Sequence, residues 1–101
     1  MGTGVQATYS EHHMSLNSAF SGMGGREFVR TVIAELELGA ERVVLDCAEW
    51  RVLDFSLLSA LVRCTETFRS RGALLELANL PTEMRANIRE LRLQNRLRLQ
   101  D

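Results

Sequence analysis

The feature that most constrains this chain is Arg42-Val-Val-Leu-Asp-Cys47, where Val43, Val44 and Leu45 form an unbroken apolar run between Glu41 and the polar stretch at Glu49. Successive side chains of a strand point to opposite faces, so an uninterrupted run asks for burial on both. Such a strand belongs in the middle of a sheet. Ala73-Leu-Leu-Glu-Leu-Ala78 repeats the design after Arg71-Gly72, a glycine suited to ending the preceding helix in a left-handed turn. A second inner strand is therefore expected there.

Helices are expected before, between and after these strands. Phe28, Val29, Val32, Ile33 and Leu36 recur at helical spacing, with Arg26, Glu27, Arg30, Glu35 and Glu37 on the other side, and Gly39 ends the pattern. Leu57, Leu61, Cys64 and Phe68 follow at i, i+4, i+7 and i+11. Leu58 and Val62 widen that stripe, and Arg63, Glu66 and Arg69 face water, in a helix beginning near Ser56. Pro81-Thr-Glu-Met announces a third helix, with proline tolerated in a first turn and Glu83 near the positive end of the dipole. Met84, Ile88 and Leu91 give it an apolar face.

The ends are less defined. Val5 to Ser10 and Met14 to Phe20 alternate loosely around Glu11-His12-His13 and read as a hairpin or as two edge strands, with residues 1–13 an edge strand or a flexible start. Leu93, Leu97 and Leu99 alternate with polar residues and fit a short helical turn and an edge strand equally. Strand-helix-strand units with right-handed crossovers give a parallel centre. The expectation is a single α/β domain over residues 1–101, with a mixed four- to five-stranded sheet and helices mainly on one face.

Composition removes several function classes. All twelve basic residues are arginine, set against thirteen acids for a net charge of −1, so no excess positive potential is available for a nucleic acid. No apolar run approaches the roughly 18–20 residues that span a bilayer, which argues against direct membrane insertion. At 101 residues the core suffices without staples, and two cysteines are too few for a secreted disulfide scaffold. The start has no signal-peptide pattern, and Gln6 stands where a myristoylation pattern needs a hydroxyl residue, so a cytoplasmic location is expected.

The informative stretch is Leu45-Asp-Cys-Ala-Glu-Trp-Arg-Val-Leu-Asp-Phe-Ser-Leu-Leu-Ser-Ala-Leu61, in which a buried strand leaves the sheet, a short loop follows, and a helix opens at a hydroxyl residue. A serine at a helix start commonly accepts a backbone N–H bond, and Ser56 fits that capping role. Asp54 fits it as well, or would orient the Ser56 hydroxyl. Trp50, Val52, Leu53, Phe55 and Leu57 crowd one loop and helix start. Either all five enter the core, or a remaining patch, Phe55 with Trp50 or Leu57, forms an anchor for a partner.

The strand order, this loop and the later Arg71-Gly-Ala-Leu-Leu-Glu-Leu resemble the STAS family, the sulphate transporter and anti-sigma-factor antagonist domains, over about residues 14 to 100. In that family the strand ends in leucine-aspartate, as at Leu45-Asp46. The helix is introduced by aspartate, serine, serine or threonine, then glycine. Asp54 and Ser56 match the first and third positions, and Phe55 and Leu57 depart from the second and fourth. The resemblance implies a non-enzymatic anti-sigma-factor antagonist in a partner-switching circuit. Ser56 would be phosphorylated by an anti-sigma factor and serine kinase of histidine-kinase-like ATPase fold, and reset by a serine phosphatase. The partner surface would comprise Trp50, Asp54, Phe55, Leu57 and Ser59. The alternative is a STAS interaction subunit of a transporter or signalling scaffold that is not phosphorylated.

Other constellations carry less. His12 and His13 point to opposite faces of a strand and are expected to be a surface feature, not metal ligands. Cys47 and Cys64 lack CxxC spacing and read as small core residues. Ser21-Gly-Met-Gly-Gly-Arg26 lacks the lysine-serine/threonine end of a phosphate-binding loop. Arg85, Arg89, Arg92, Arg96 and Arg98 are offset by Glu83, Glu90 and Asp101 and read mostly as a solvated face. No catalytic group, cofactor or metal site is expected.

Overall fold

The computed structural model describes residues 10–16 and 24–100. The element order is β1 (Glu11–Ser15), α1 (Gly25–Glu37), β2 (Arg42–Asp46), α2 (Phe55–Ser70), β3 (Leu74–Ala78) and α3 (Thr82–Glu90). The described strands form one three-stranded sheet in the order β1-β2-β3, with both pairings parallel. The mixed four- to five-stranded sheet is thus seen as three parallel strands. A fourth partner begins at the Leu77–Leu99 parallel bridge, where Leu77 N–H donates to Arg98 O and Gln100 N–H to Leu77 O, each at 2.8 Å. The tail accordingly resolves both expectations in sequence, a turn over Leu93–Arg96 and then a strand-like edge beside β3.

Burial on both faces of β2 follows the sequence expectation. Val43 and Leu45 stand level with Leu75 and Leu77 and join the main core, while Val44 is buried on the opposite face, apart from that cluster. All three described helices contribute to that one core: Phe28 and Val32 from α1, Leu58, Leu61, Cys64 and Phe68 from α2, and Met84 and Ile88 from α3. A continuous shared cluster of this kind is what gives so small a chain its stability.

Glu11-His12-His13, read in the sequence as the break between two segments, is instead the first part of β1. Polar residues are tolerated there because the strand alternates exposed and half-buried positions. The rest of the two expected segments, residues 5–9 and 17–20, lies outside the described residues, as do residues 21–23 of the glycine-rich lead. The two histidines do point to opposite sides. His12 Nδ1 donates to Glu35 Oε1 of α1 at 2.7 Å, which makes it a half-buried link and not merely a surface residue. His13 Nε2 lies 2.7 Å from Glu11 Oε2.

The opposite face of the sheet carries a charged ladder. Arg42 reaches Glu76 Oε1 at 2.5 Å and Glu11 Oε1 at 3.1 Å, and Glu76 also accepts from Gln100 at 2.8 Å and Arg98 at 3.3 Å. Burial by itself raises the Glu76 pKa, but the bonds from Gln100 and Arg42, the Arg42 charge and the Arg98 bond outweigh it. The net result is a carboxyl held below its usual value.

The three helices end in the same way. Ala40 N–H reaches Glu35 O, Ala73 N–H reaches Phe68 O and Leu93 N–H reaches Ile88 O, spanning a residue of positive φ in each case. At the second end that residue is Gly72 (φ 75°), as expected; at the third it is Arg92 (φ 60°). This turn stops α3 at Glu90 and leaves Leu91 as a 40% exposed cap residue, so Leu91 does not continue the buried face. A side chain in that conformation costs roughly 1 kcal/mol or more relative to glycine. Arg92→Gly should therefore raise the urea midpoint, by about 1 kcal/mol of stability, whereas Gly72→Val should lower it by at least as much.

Candidate functional site

The loop after β2 is held at both ends. Asp46 Oδ1 accepts from Ala48 N–H at 3.0 Å and from the Asn79 side-chain amide at 3.2 Å, tying the ends of β2 and β3 together. Cys47 N–H continues the ladder to Ala78 O at 2.8 Å, and Trp50 N–H closes a turn onto Cys47 O at 3.0 Å. The Trp50 side chain lies in the core, 5% exposed, and its indole N–H donates to Val52 O at 2.9 Å. Trp50 is therefore a fastening for the loop and offers a partner almost no surface. Its large ring gains most by burial, and its one polar group finds a backbone acceptor inside the loop.

The start of α2 also differs from the expectation. The helix begins at Phe55, and Asp54 is its cap, with Oδ1 accepting from Ser56 N–H at 2.9 Å and Leu57 N–H at 3.2 Å. A carboxylate satisfies two of the orphan N–H groups and complements the positive end of the helix dipole. Ser56 consequently does not cap. It sits in the first turn, exposed, and its hydroxyl makes no hydrogen bond with the described residues.

Around this serine the apolar crowd divides. Leu53 and Leu57 pack partly against the core, while Phe55 is 64% and Val52 76% exposed. The exposed pair is thus Phe55 with Val52, in place of Phe55 with Trp50 or Leu57. Phe55 stands between two depressions. One, of about 490 Å³, is a groove running along Leu58 and Val62 to Leu91 and Leu93, with Glu66 and Arg96 at its side. The other, of about 510 Å³, is polar and joins Ser56 and Ser59 of α2 to Gly25 and Arg26 of α1, with Arg63 above. Arg26, Arg63 and Leu91 are the site residues that the sequence reading missed. The seven-residue spacing of Ser56 and Arg63 places them on one helical face and was the available signal.

Neither thiol suits nucleophilic chemistry. Both are buried; desolvation, reinforced by the Asp46 charge, pushes Cys47 up to about 12, and desolvation pushes Cys64 up to about 11 against the opposing effect of Arg63. Among the described residues no cluster of three histidine, cysteine or acidic side chains is arranged to hold a metal ion, and no helix is long and apolar enough to cross a membrane.

The comparison with known families bears directly on this arrangement. The family model described as Mlab, STAS domain matches residues 3–100. The chain belongs to the STAS domain family. No curated protein matches it. Within this STAS domain the loop and helix start at Asp54 and Ser56 occupy the end of the sheet at which β2 finishes. Phe55 stands between them, exposed to solvent.

Two measurements check the site as described. Asp54→Ala should cost about 0.5–2 kcal/mol in urea unfolding, and Ser56→Ala should stay within about 0.5 kcal/mol, because only the first removes a cap. Cys47 and Cys64 should remain unlabelled by a thiol reagent at neutral pH in the folded chain, and both should react once denaturant is added.

Proposed function

We propose that this STAS domain is a non-enzymatic regulator of the anti-sigma-factor antagonist type. It docks a partner over the start of α2 and is released when Ser56 is phosphorylated. The observation that carries this reading is the exposed Ser56 hydroxyl, relieved of capping by Asp54 and flanked by exposed Phe55. Phe55 and Val52 supply apolar contact, Ser59 lies on the same exposed surface, and Asp54 holds the helix end in one conformation. The partner is an anti-sigma factor and serine kinase of histidine-kinase-like ATPase fold, and a serine phosphatase restores the hydroxyl.

In the modification step the Ser56 oxygen attacks the γ-phosphorus of ATP. A new O–P bond forms, the bond to the β-bridging oxygen breaks, ADP leaves, and the hydroxyl proton passes to a base of the kinase. The product carries about −1.5 to −2 charges at pH 7, placed where the helix dipole favours an anion. The fold survives and the docking surface changes. A coupling of about 1–3 kcal/mol corresponds to roughly 5- to 150-fold in affinity.

A second reading has its own support. The exposed Phe55 and Val52 form an apolar contact that functions without any phosphate, as in an interaction subunit of a transporter or scaffold. Incubation with ATP and a serine kinase of histidine-kinase-like ATPase fold, followed by mass spectrometry, separates the two. Phosphate on Ser56, with partner binding weakened at least 5-fold by Ser56→Asp and retained by Ser56→Ala, is the expected result. Phosphate elsewhere, or equal binding by both variants, would overturn the switch and leave the unmodified subunit.

A further inference from the structure

Arg63 shares a face of α2 with Ser56. Seven positions separate them, about 10 Å of rise, and helical side chains lean toward the N-terminus, which carries the guanidinium back toward the helix start. Its end lies beside the neighbouring helix. A β-carbon on Gly25 would stand 3.6 Å from Arg63 Nη2 and 3.8 Å from the backbone oxygen of Ser56, so the guanidinium and the backbone of the first turn of α2 close on one point of α1. The glycine leaves room for both.

The depression over this junction is lined by Arg26, Arg63, the two serines, Gly25 and Phe55, and, among the described residues, by no carboxylate. Arg42, Arg96 and Arg98 are engaged in ion pairs, whereas neither Arg26 nor Arg63 has an ion-pair partner among the described residues. Asp54 is committed through Oδ1 to the N–H groups of Ser56 and Leu57, Glu66 is paired with Arg96, and Glu27 is exposed on α1 beside Arg26.

We propose that Arg63, assisted by Arg26, receives the phosphate of modified Ser56 within the same chain. This rests on Ser56 being the regulated residue. The phosphoserine turns into the depression and takes charge-assisted bonds from the guanidinium groups. Two cations that the unmodified surface presents to an acidic group of the partner are thereby neutralised in cis. Release then comes from the loss of the partner's counter-ions as well as from added negative charge.

The test places phosphoserine at position 56 of the full chain by genetic encoding, so no kinase is needed, and follows its second ionisation by phosphorus NMR against pH. The ordinary value is about 6. With Arg63 present it should fall by about one pH unit relative to the Arg63→Gln chain; Arg63→Lys should recover part of the difference, and Arg69→Gln, at the far end of α2, should leave the wild-type value unchanged. Identical titrations for the wild-type and Arg63→Gln chains would overturn the proposal. Failure of a kinase to modify Ser56 is read in the separate phosphorylation experiment and leaves this titration as decisive as before.

Discussion

Parallel pairing of β2 with neighbours on both sides is the constraint on which the rest of the molecule depends. A parallel neighbour is reached only by a crossover, and the two crossovers contain α1 and α2. Each of those helices begins after the carboxyl end of a strand, so their N-termini are delivered to the same edge of the sheet. That edge is where open parallel sheets generally gather their ligands. The meeting of Gly25 with the first turn of α2 is therefore a product of topology, and the loop from Cys47 to Asp54 has only to choose which side chains are shown there.

How much was legible in the sequence depends on how strongly burial dictates pattern. Val43 to Leu45, the Leu57 to Phe68 stripe and Leu75 with Leu77 are positions where a polar substitute would be costly, so the apolar spacing reports the element directly. The elements misread are those under weaker pressure. β1 has Glu11 and two histidines because its residues are half-buried at most, and full burial begins only at Leu16, one position beyond its end. Leu91 extends the apolar pattern of α3, but Arg92 takes the left-handed turn that a glycine would have announced.

At the site the difficulty was different. Asp54 and Ser56 are both good capping residues two positions apart, and pattern alone cannot rank them; geometry gives the role to the group that reaches two N–H donors. Trp50 and Val52 were equally ambiguous as loop residues, and the outcome turns on the indole N–H finding an acceptor within the loop. The near-neutral total charge likewise conceals an uneven arrangement. Glu76 gathers Arg42, Arg98 and Gln100 on the open sheet face, and Glu66 takes Arg96, so these three arginines are balanced internally, away from the edge that bears Ser56.

Capping by Asp54 frees position 56 from the task of holding the helix end. The carboxylate secures the helix whether position 56 carries a hydroxyl, a phosphate or a methyl group. Position 56 can therefore change its side chain without loss of the cap that holds the helix end.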